Sequence, residues 1–209
     1  MKFVSLVSSG IDSPVATYLL SKKADEIILI HADCRPFTDD REIKNFIKIA
    51  KFFKKHIARS MKSYIVPHGQ SLTEFKQKCN NRFTCVFCKR MMLRYAEKIA
   101  EKEDADAIIM GDSLGQVASQ TLQNISTIEQ AIKTVVLRPL IGLDKEDVIK
   151  IAKEIGTYDL SILPSAGCNA VPYKPATKAR LEIVLEEESR LNVDKLIKEA
   201  VVNSNLIII

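Results

Sequence analysis

Phe3-Val4-Ser5-Leu6-Val7-Ser8-Ser9-Gly10-Ile11-Asp12-Ser13-Pro14-Val15-Ala16 passes from an apolar run through a turn of small residues into the start of a helix. This strand–turn–helix unit decides the fold, because it is how a protein holds a phosphate. Small residues let successive backbone N–H groups converge, and a helix starting near Ser13 adds the positive end of its dipole, so an anion gains several donors without a lysine. A nucleotide polyphosphate is the expected ligand. The run lacks the Gly-Lys-Ser/Thr end of a Walker loop and the three glycines of the dinucleotide fingerprint. Taken alone it also reads as an ordinary strand-to-helix turn capped by Asp12 or Ser13.

Outward from this unit, further apolar runs at Ile27 to His31, Tyr64 to Pro67, Ala107 to Gly111 and Val135 to Arg138 are spaced by helical patterns. The helical spacing covers Val15 to Ser21, Arg41 to Lys55, Lys89 to Glu101, Lys145 to Ile155 and Asp194 to Val202, with Gly156 as a helix C-cap. The alternation predicts an α/β fold, a doubly wound and mostly parallel sheet of about five strands flanked by helices, with Leu206 to Ile209 as a further strand. Ligands of such sheets bind beyond the carboxyl ends of the strands, where Ser8 to Ser13 lies. Tyr158 to about Thr177 is the one long irregular stretch, of a length that is usually functional or mobile.

The 209 residues are expected to form a single domain over 1–209, without repeats or a Gly/Pro/Ser-rich linker. A net charge of +5 permits nucleic-acid contact without indicating it, and the basic runs Lys44 to Lys55 and Lys54 to Arg59 read equally as solvated helix faces. Neither a secretory signal nor a membrane span is seen, so a cytoplasmic location with no membrane partner is expected. Five cysteines argue against a disulfide framework and for metal, redox or catalytic use, with Cys85-Val86-Phe87-Cys88, just before the helix at Lys89, as the pair to watch.

Ser8 to Ser13 resembles the SGGxDS loop of the ATP pyrophosphatases, the PP-loop family, with Ser9 where the first glycine is usual. A serine there costs backbone freedom if the turn needs a positive φ. Three further segments narrow the resemblance to the ThiI family of tRNA 4-thiouridine synthetases. They are Met110 to Leu122 (MGDSLGQVASQTL), Arg138 to Lys145 followed by Ile155 to Tyr158, and Pro172 to Thr177 within the run that begins at Cys168. Members of that family normally carry a ferredoxin-like and THUMP region that grips tRNA, and some carry a rhodanese domain. Neither is seen in this sequence, so the resemblance implies the catalytic domain standing alone, with either tRNA presented by a separate THUMP-like protein or a different thiolation substrate bound by this domain. It also implies a homodimer.

The reaction implied is attack by a uracil carbonyl oxygen on the α-phosphate of ATP, then displacement of AMP by sulfur from sulfide or a persulfide donor. In that scheme the backbone of Ser8, Ser9, Gly10 and Ser13 holds pyrophosphate, Asp12 assists magnesium, and Lys145 offsets developing phosphate charge. Gly111, Gln116 and Gln120 contact the nucleotide or the target base, and His31 borders the adenine. Cys168 matches the family's loop cysteine that receives sulfur. In relatives with a CxxC pair, three thiolates hold a [4Fe-4S] cluster, which assigns Cys85, Cys88 and Cys168 as ligands and leaves one iron free to bind hydrosulfide. Zinc on these three plus a fourth ligand such as Cys79, or a redox dithiol, are the alternatives. Cys34 and Cys79 match no family role, and Cys34 reads as a small buried hydrophobe. Two other functions stay open: a ligase of the amidotransfer or 7-cyano-7-deazaguanine synthase type, and a nucleotide-binding module without catalysis.

Overall fold

A computed structural model describes residues 1–56, 60–207 and 209. β1 (Lys2–Leu6) leads into α1 (Asp12–Ser21), and β2 (Glu26–Asp33) into α2 (Asp40–His56). β3 (Ser60–Pro67) is followed by α3 (Gly69–Lys78) and α4 (Thr84–Glu103), and β4 (Ala107–Ile109) by α5 (Leu122–Glu129). After β5 (Val136–Leu137) come α6 (Lys145–Ile155), the short α7 (Tyr158–Ser161), α8 (Leu181–Glu188), α9 (Val193–Val202) and β6 (Asn205–Ile207).

The strands form a sheet in the order β5-β4-β1-β2-β3-β6, parallel except for β6, which pairs antiparallel with β3. The expected doubly wound, mostly parallel sheet is present, with a sixth strand from the C-terminal segment. Part of the Leu206 to Ile209 expectation, and residues 57–59 of the basic run, lie outside the described residues.

Period-two side-chain alternation divides the core. Val4, Leu6, Ile28 and Ile30 face the layer that contains α3, α4 and α9, whereas Phe3, Ile27 and Leu29 face α1, α2 and α6. The register Phe3↔Ile27 and Val4↔Ile28 keeps like faces together across β1 and β2. Ser5 is the polar exception: its hydroxyl sits 2.7 Å from Thr17 Oγ1, which donates in turn to the Ser13 carbonyl at 2.7 Å. A satisfied buried polar chain thus ties β1 to the first turns of α1.

Several boundaries differ from those the sequence predicts. α4 begins at Thr84, not Lys89, so Cys85 and Cys88 sit inside its first turns. β3 begins at Ser60 because the polar residues ahead of Tyr64 continue the parallel ladder from Glu26. β5 is only two residues long, and Arg138 leaves the strand to bond Asp112 and Glu129. On α2, Phe46, Ile49, Ala50 and Phe53 are buried while Lys44, Lys48, Lys51, Lys54 and Lys55 are exposed, as a solvated basic face requires. Gly156 closes α6 at φ +84°, the left-handed C-cap position.

The stretch from Tyr158 to Thr177 is irregular beyond α7 but tied down. The Asn169 N–H donates to the Phe37 carbonyl at 2.8 Å and the Ala176 N–H to the Arg82 carbonyl at 2.8 Å. The Asn124 and Thr121 side chains bond the Ala176 and Thr177 carbonyls, each at 2.7 Å. Cys168 is therefore held beside the end of β2, far from it in sequence.

Candidate active site

Strand order reverses at β1, with β2 on one side and β4 on the other, so the loops that leave β1 and β4 open a crevice at their carboxyl ends. The two loops meet backbone to backbone: a Cβ on Gly111 would lie 2.7 Å from both Ser13 N and Ser13 Cα. Gly111 is thus required for close approach. Gly111→Ala is expected to cost about 1–3 kcal/mol and to abolish nucleotide binding by displacing the loop. Thermal unfolding and ATP titration check both.

Ser9 tells the opposite story. Among described non-glycine residues only Asp104 has a positive φ, so serine carries no strain in this loop. Its hydroxyl donates to Glu42 Oε2 at 2.5 Å, tying the loop to the first turn of α2. Ser9→Gly is expected to keep ATP affinity within about threefold and to lose roughly 1 kcal/mol of stability, one hydrogen bond. A collapse of affinity in ATP titration would make the Ser9–Glu42 contact part of the anion site.

Neither Asp12 nor Ser13 caps α1. The N-cap residue is Ile11, with no side-chain cap. Ser13 Oγ instead accepts the Ser8 N–H at 2.9 Å, and Ser8 Oγ accepts the Gly10 N–H at 3.2 Å. These hydroxyls satisfy two of the loop's N–H donors, and the helix end without a side-chain cap adds its dipole. Asp12 receives Lys145 Nζ at 2.6 Å and Gln116 Nε2 at 3.1 Å. The structure therefore unites β1, the loop after β4 and the start of α6 around one carboxylate.

A cavity of about 390 Å³ opens over this loop. Its far wall carries Lys89, Asp112 and Gln120. Asp112 is buried and accepts Lys89 Nζ at 2.6 Å and Arg138 Nε at 3.1 Å, with Gln120 Nε2 at 3.3 Å. Burial alone would raise its carboxyl, but Lys89 and Arg138 hold it below the usual carboxylate range. His31 also lines the cavity, with Nδ1 2.9 Å from the Val7 carbonyl and its ring stacked on Phe46 at 4.7 Å, and burial lowers its pKa.

Cys34, Cys88 and Cys168 line the same cavity. Cys85 does not line it, yet it lies near enough to Cys168 for that thiol to add to the rise that burial imposes on its pKa. Burial, reinforced by Cys168, pushes Cys34 to about 12. Cys88 is raised well above its ordinary value by burial, then by Cys34, Cys85 and Cys168. Cys34 is thus more than a core hydrophobe: it is a third thiol on the cavity wall, with Cys88 and Cys168. Cys79 stands apart, its Sγ on the Glu187 carbonyl at 3.5 Å, which removes it as a fourth zinc ligand. Among the described residues no set of three His, Cys, Asp or Glu side chains is gathered to hold a metal ion. The donor chemistry nevertheless suits an iron–sulfur cluster better than a hard cation, since the donors are thiols: Cys85 and Cys88 stand i,i+3 on α4, and Cys168 is near enough to add to the rise in the pKa of both.

Sequence reasoning missed Cys34, Glu42, Lys89 and Asp112. Cys34 follows the end of β2, Glu42 sits in the first turn of the helix after it, and Asp112 follows Gly111, so the strand-end rule was the available signal. Lys89, beside Cys88, lacked even that.

A doubly wound sheet with a small-residue anion loop at its switch point, faced by a lysine–aspartate pair, defines an ATP-pyrophosphatase-like nucleotide-binding domain of the PP-loop class. The profile of the family described as "Thiamine biosynthesis protein (ThiI)" matches residues 1–193. The chain belongs to the ThiI family. It is 44% identical over 202 residues to a protein of Methanobrevibacter smithii named "Probable tRNA sulfurtransferase", covering 95% of this chain and 52% of that one. A protein of the same name from Methanothermobacter thermautotrophicus is 42% identical over 199 residues, covering 95% and 51%. A solved structure described as a 4-thiouridine synthetase–RNA complex with bound ATP superposes with a TM-score of 0.94 at 34% identity, over 100% of this chain and 55% of that one. The chain spans about half the length of the curated relatives it matches.

Proposed function

We propose that this chain is the catalytic unit of an ATP-dependent tRNA sulfurtransferase that makes 4-thiouridine. The observation that carries the reading is the meeting, at one cavity, of the Ser8 to Ser13 loop, whose Asp12 holds Lys145, with Cys34, Cys88 and Cys168 in a ThiI-family chain. The relatives' names and the RNA- and ATP-bound neighbour support it.

Oxygen at C4 of uracil is a poor leaving group, so it is first converted to a good one. The loop N–H groups and the α1 terminus hold the β- and γ-phosphates, which leave as pyrophosphate when the O4 oxygen bonds to the α-phosphorus and the base loses its N3 proton. Lys145 neutralises charge on the departing phosphates, and Asp12 orients Lys145 and would help to hold magnesium, which when bound supplies further charge neutralisation. Hydrosulfide sulfur then bonds to C4, the C4–O bond breaks so that AMP departs with that oxygen, and the hydrosulfide proton passes to N3. Cys85, Cys88 and Cys168 would hold a [4Fe-4S] cluster, which when bound supplies an iron site for hydrosulfide. The cavity wall of Lys89, Asp112 and Gln120 keeps a fixed polar surface against the base or nucleotide. The reading takes residues 1–209 as one catalytic unit in the cytoplasm, with tRNA presented by a THUMP-like partner and a homodimer as the working assembly. Among the described residues no helix is long and apolar enough to cross a membrane.

The test is anaerobic loading with iron and sulfide, then incubation with ATP and unmodified tRNA, with nucleosides analysed by mass. AMP, pyrophosphate and 4-thiouridine are expected together, with iron and acid-labile sulfide on the protein. ADP in place of AMP sinks the reading; zinc without labile sulfide sinks its cluster. If tRNA binds the chain directly, affinity falls steeply with salt as counterions are released. A flat salt response assigns the RNA grip to the partner.

A further inference from the structure

Behind Cys88 a buried chain of polar side chains leads to its sulfur. His68, fully buried where β3 passes into α3, places Nε2 3.2 Å from Cys88 Sγ and Nδ1 3.3 Å from the Tyr95 hydroxyl. The Tyr95 hydroxyl sits 2.7 Å from Ser71 Oγ. The imidazole is held in place from several sides: its backbone N–H donates to the Asp33 carbonyl at 2.8 Å, and its ring meets Tyr95 edge-on at 5.7 Å and Phe75 at 6.3 Å.

We propose that His68 is a positioning residue for Cys88, its Nε2–H donating to the sulfur whenever that sulfur is a thiolate. The proposal rests on the reading of Cys88 as a thiolate that handles a cluster or sulfur. A thiolate only accepts, so Nε2 must carry the proton. A neutral imidazole has one N–H, so Nδ1 must accept, and the donor beside it is the Tyr95 hydroxyl. That hydroxyl, having given its proton to Nδ1, accepts from Ser71. Every hydrogen in the series points toward Cys88, and the tautomer is fixed by neighbours that belong to α3 and α4. Hydrogen bonds of this kind orient a ligand sulfur and raise the potential of any cluster on it. Among the described residues Cys85, on the same helix, has no such hydrogen-bonded partner, which makes it the internal reference.

The full chain is compared as wild type, His68→Gln, His68→Asn and Tyr95→Phe. A glutamine nitrogen reaches the place of Nε2, whereas an asparagine nitrogen reaches only that of Nδ1. In metal-free protein, iodoacetamide labelling of Cys88 is measured against Cys85 by peptide mass. The Cys88/Cys85 ratio is expected to fall about fivefold in His68→Asn, to fall by less in Tyr95→Phe, and to stay near wild type in His68→Gln. After iron and sulfide loading, the reduction potential is expected to drop in His68→Asn and to be restored in His68→Gln. Equal ratios in all four proteins overturn the proposal. Should His68→Asn not fold, Tyr95→Phe decides, since it keeps the ring: a ratio unchanged from wild type overturns it. If wild type takes up no iron, the cluster reading fails while the labelling ratio still tests His68.

Discussion

On the proposed function, Lys145→Met is expected to lower the rate of ATP cleavage to AMP and pyrophosphate by about 100- to 1000-fold with the fold intact, the range found when one donor aimed at developing charge is removed. Lys145 opens α6 and reaches Asp12 Oδ1 at 2.6 Å across the mouth of the anion loop. The lysine side chain is 42% exposed, so the pair contributes little to stability. Methionine keeps the apolar stem and removes only the charge. The loss should therefore fall on the chemical step. Single-turnover ATP cleavage, read beside the thermal midpoint, separates the two effects: a normal rate removes Lys145 from catalysis, and a lowered midpoint assigns it to the fold. Asp12→Asn should follow the same pattern, because its carboxylate is what orients the ammonium.

Glu188→Ala is expected to destabilise the protein by about 3–5 kcal/mol, the cost of leaving a buried charge without its partner. Arg90 is 1% exposed and places Nε and Nη2 on the two Glu188 oxygens, each at 2.9 Å, while Arg94 adds contacts at 2.9 and 2.8 Å. Arg90 Nη1 also donates to the Thr127 carbonyl. This clamp joins α4, α5 and α8, and α4 carries Cys85 and Cys88. Burial works to raise the Glu188 carboxyl, but Arg94 and Arg90 outweigh it and hold its pKa below the ordinary 4.5. A depressed folded-state pKa means that the stabilisation is complete above the unfolded value and disappears as pH falls through the folded one. Urea unfolding of wild type and Glu188→Ala should thus differ most near neutrality and converge in acid. Parallel curves at all pH values would show that the carboxylate is not the source.

Much of this was legible because it is local. Short continuous apolar runs at Phe3 to Val7 and Ile27 to His31 specify buried strands, and the small residues after Val7 specify an anion loop, since both follow from chain geometry within a few residues. Helices without a clear apolar stripe were not legible: α3, α5 and α8 are rich in Gln, Ser, Thr and Glu, and they form because neighbouring layers cover one side of each. Ser9 was legible as a departure from the usual glycine, but its harmlessness was not, because that depends on a φ value and on Glu42, 33 residues away.

The sequence by itself determined the layer order, the anion loop and the family, since hydrophobic period, turn chemistry and motif order are written along the chain. Tertiary structure decided which distant groups meet: Gly111 against Ser13, Lys145 on Asp12, Cys34 and Cys168 beside Cys88, and His68 behind it. The reason is that strand order and the course of the loop that carries Cys168 are settled by burial and long-range hydrogen bonds, which bring into contact residues that no local pattern relates.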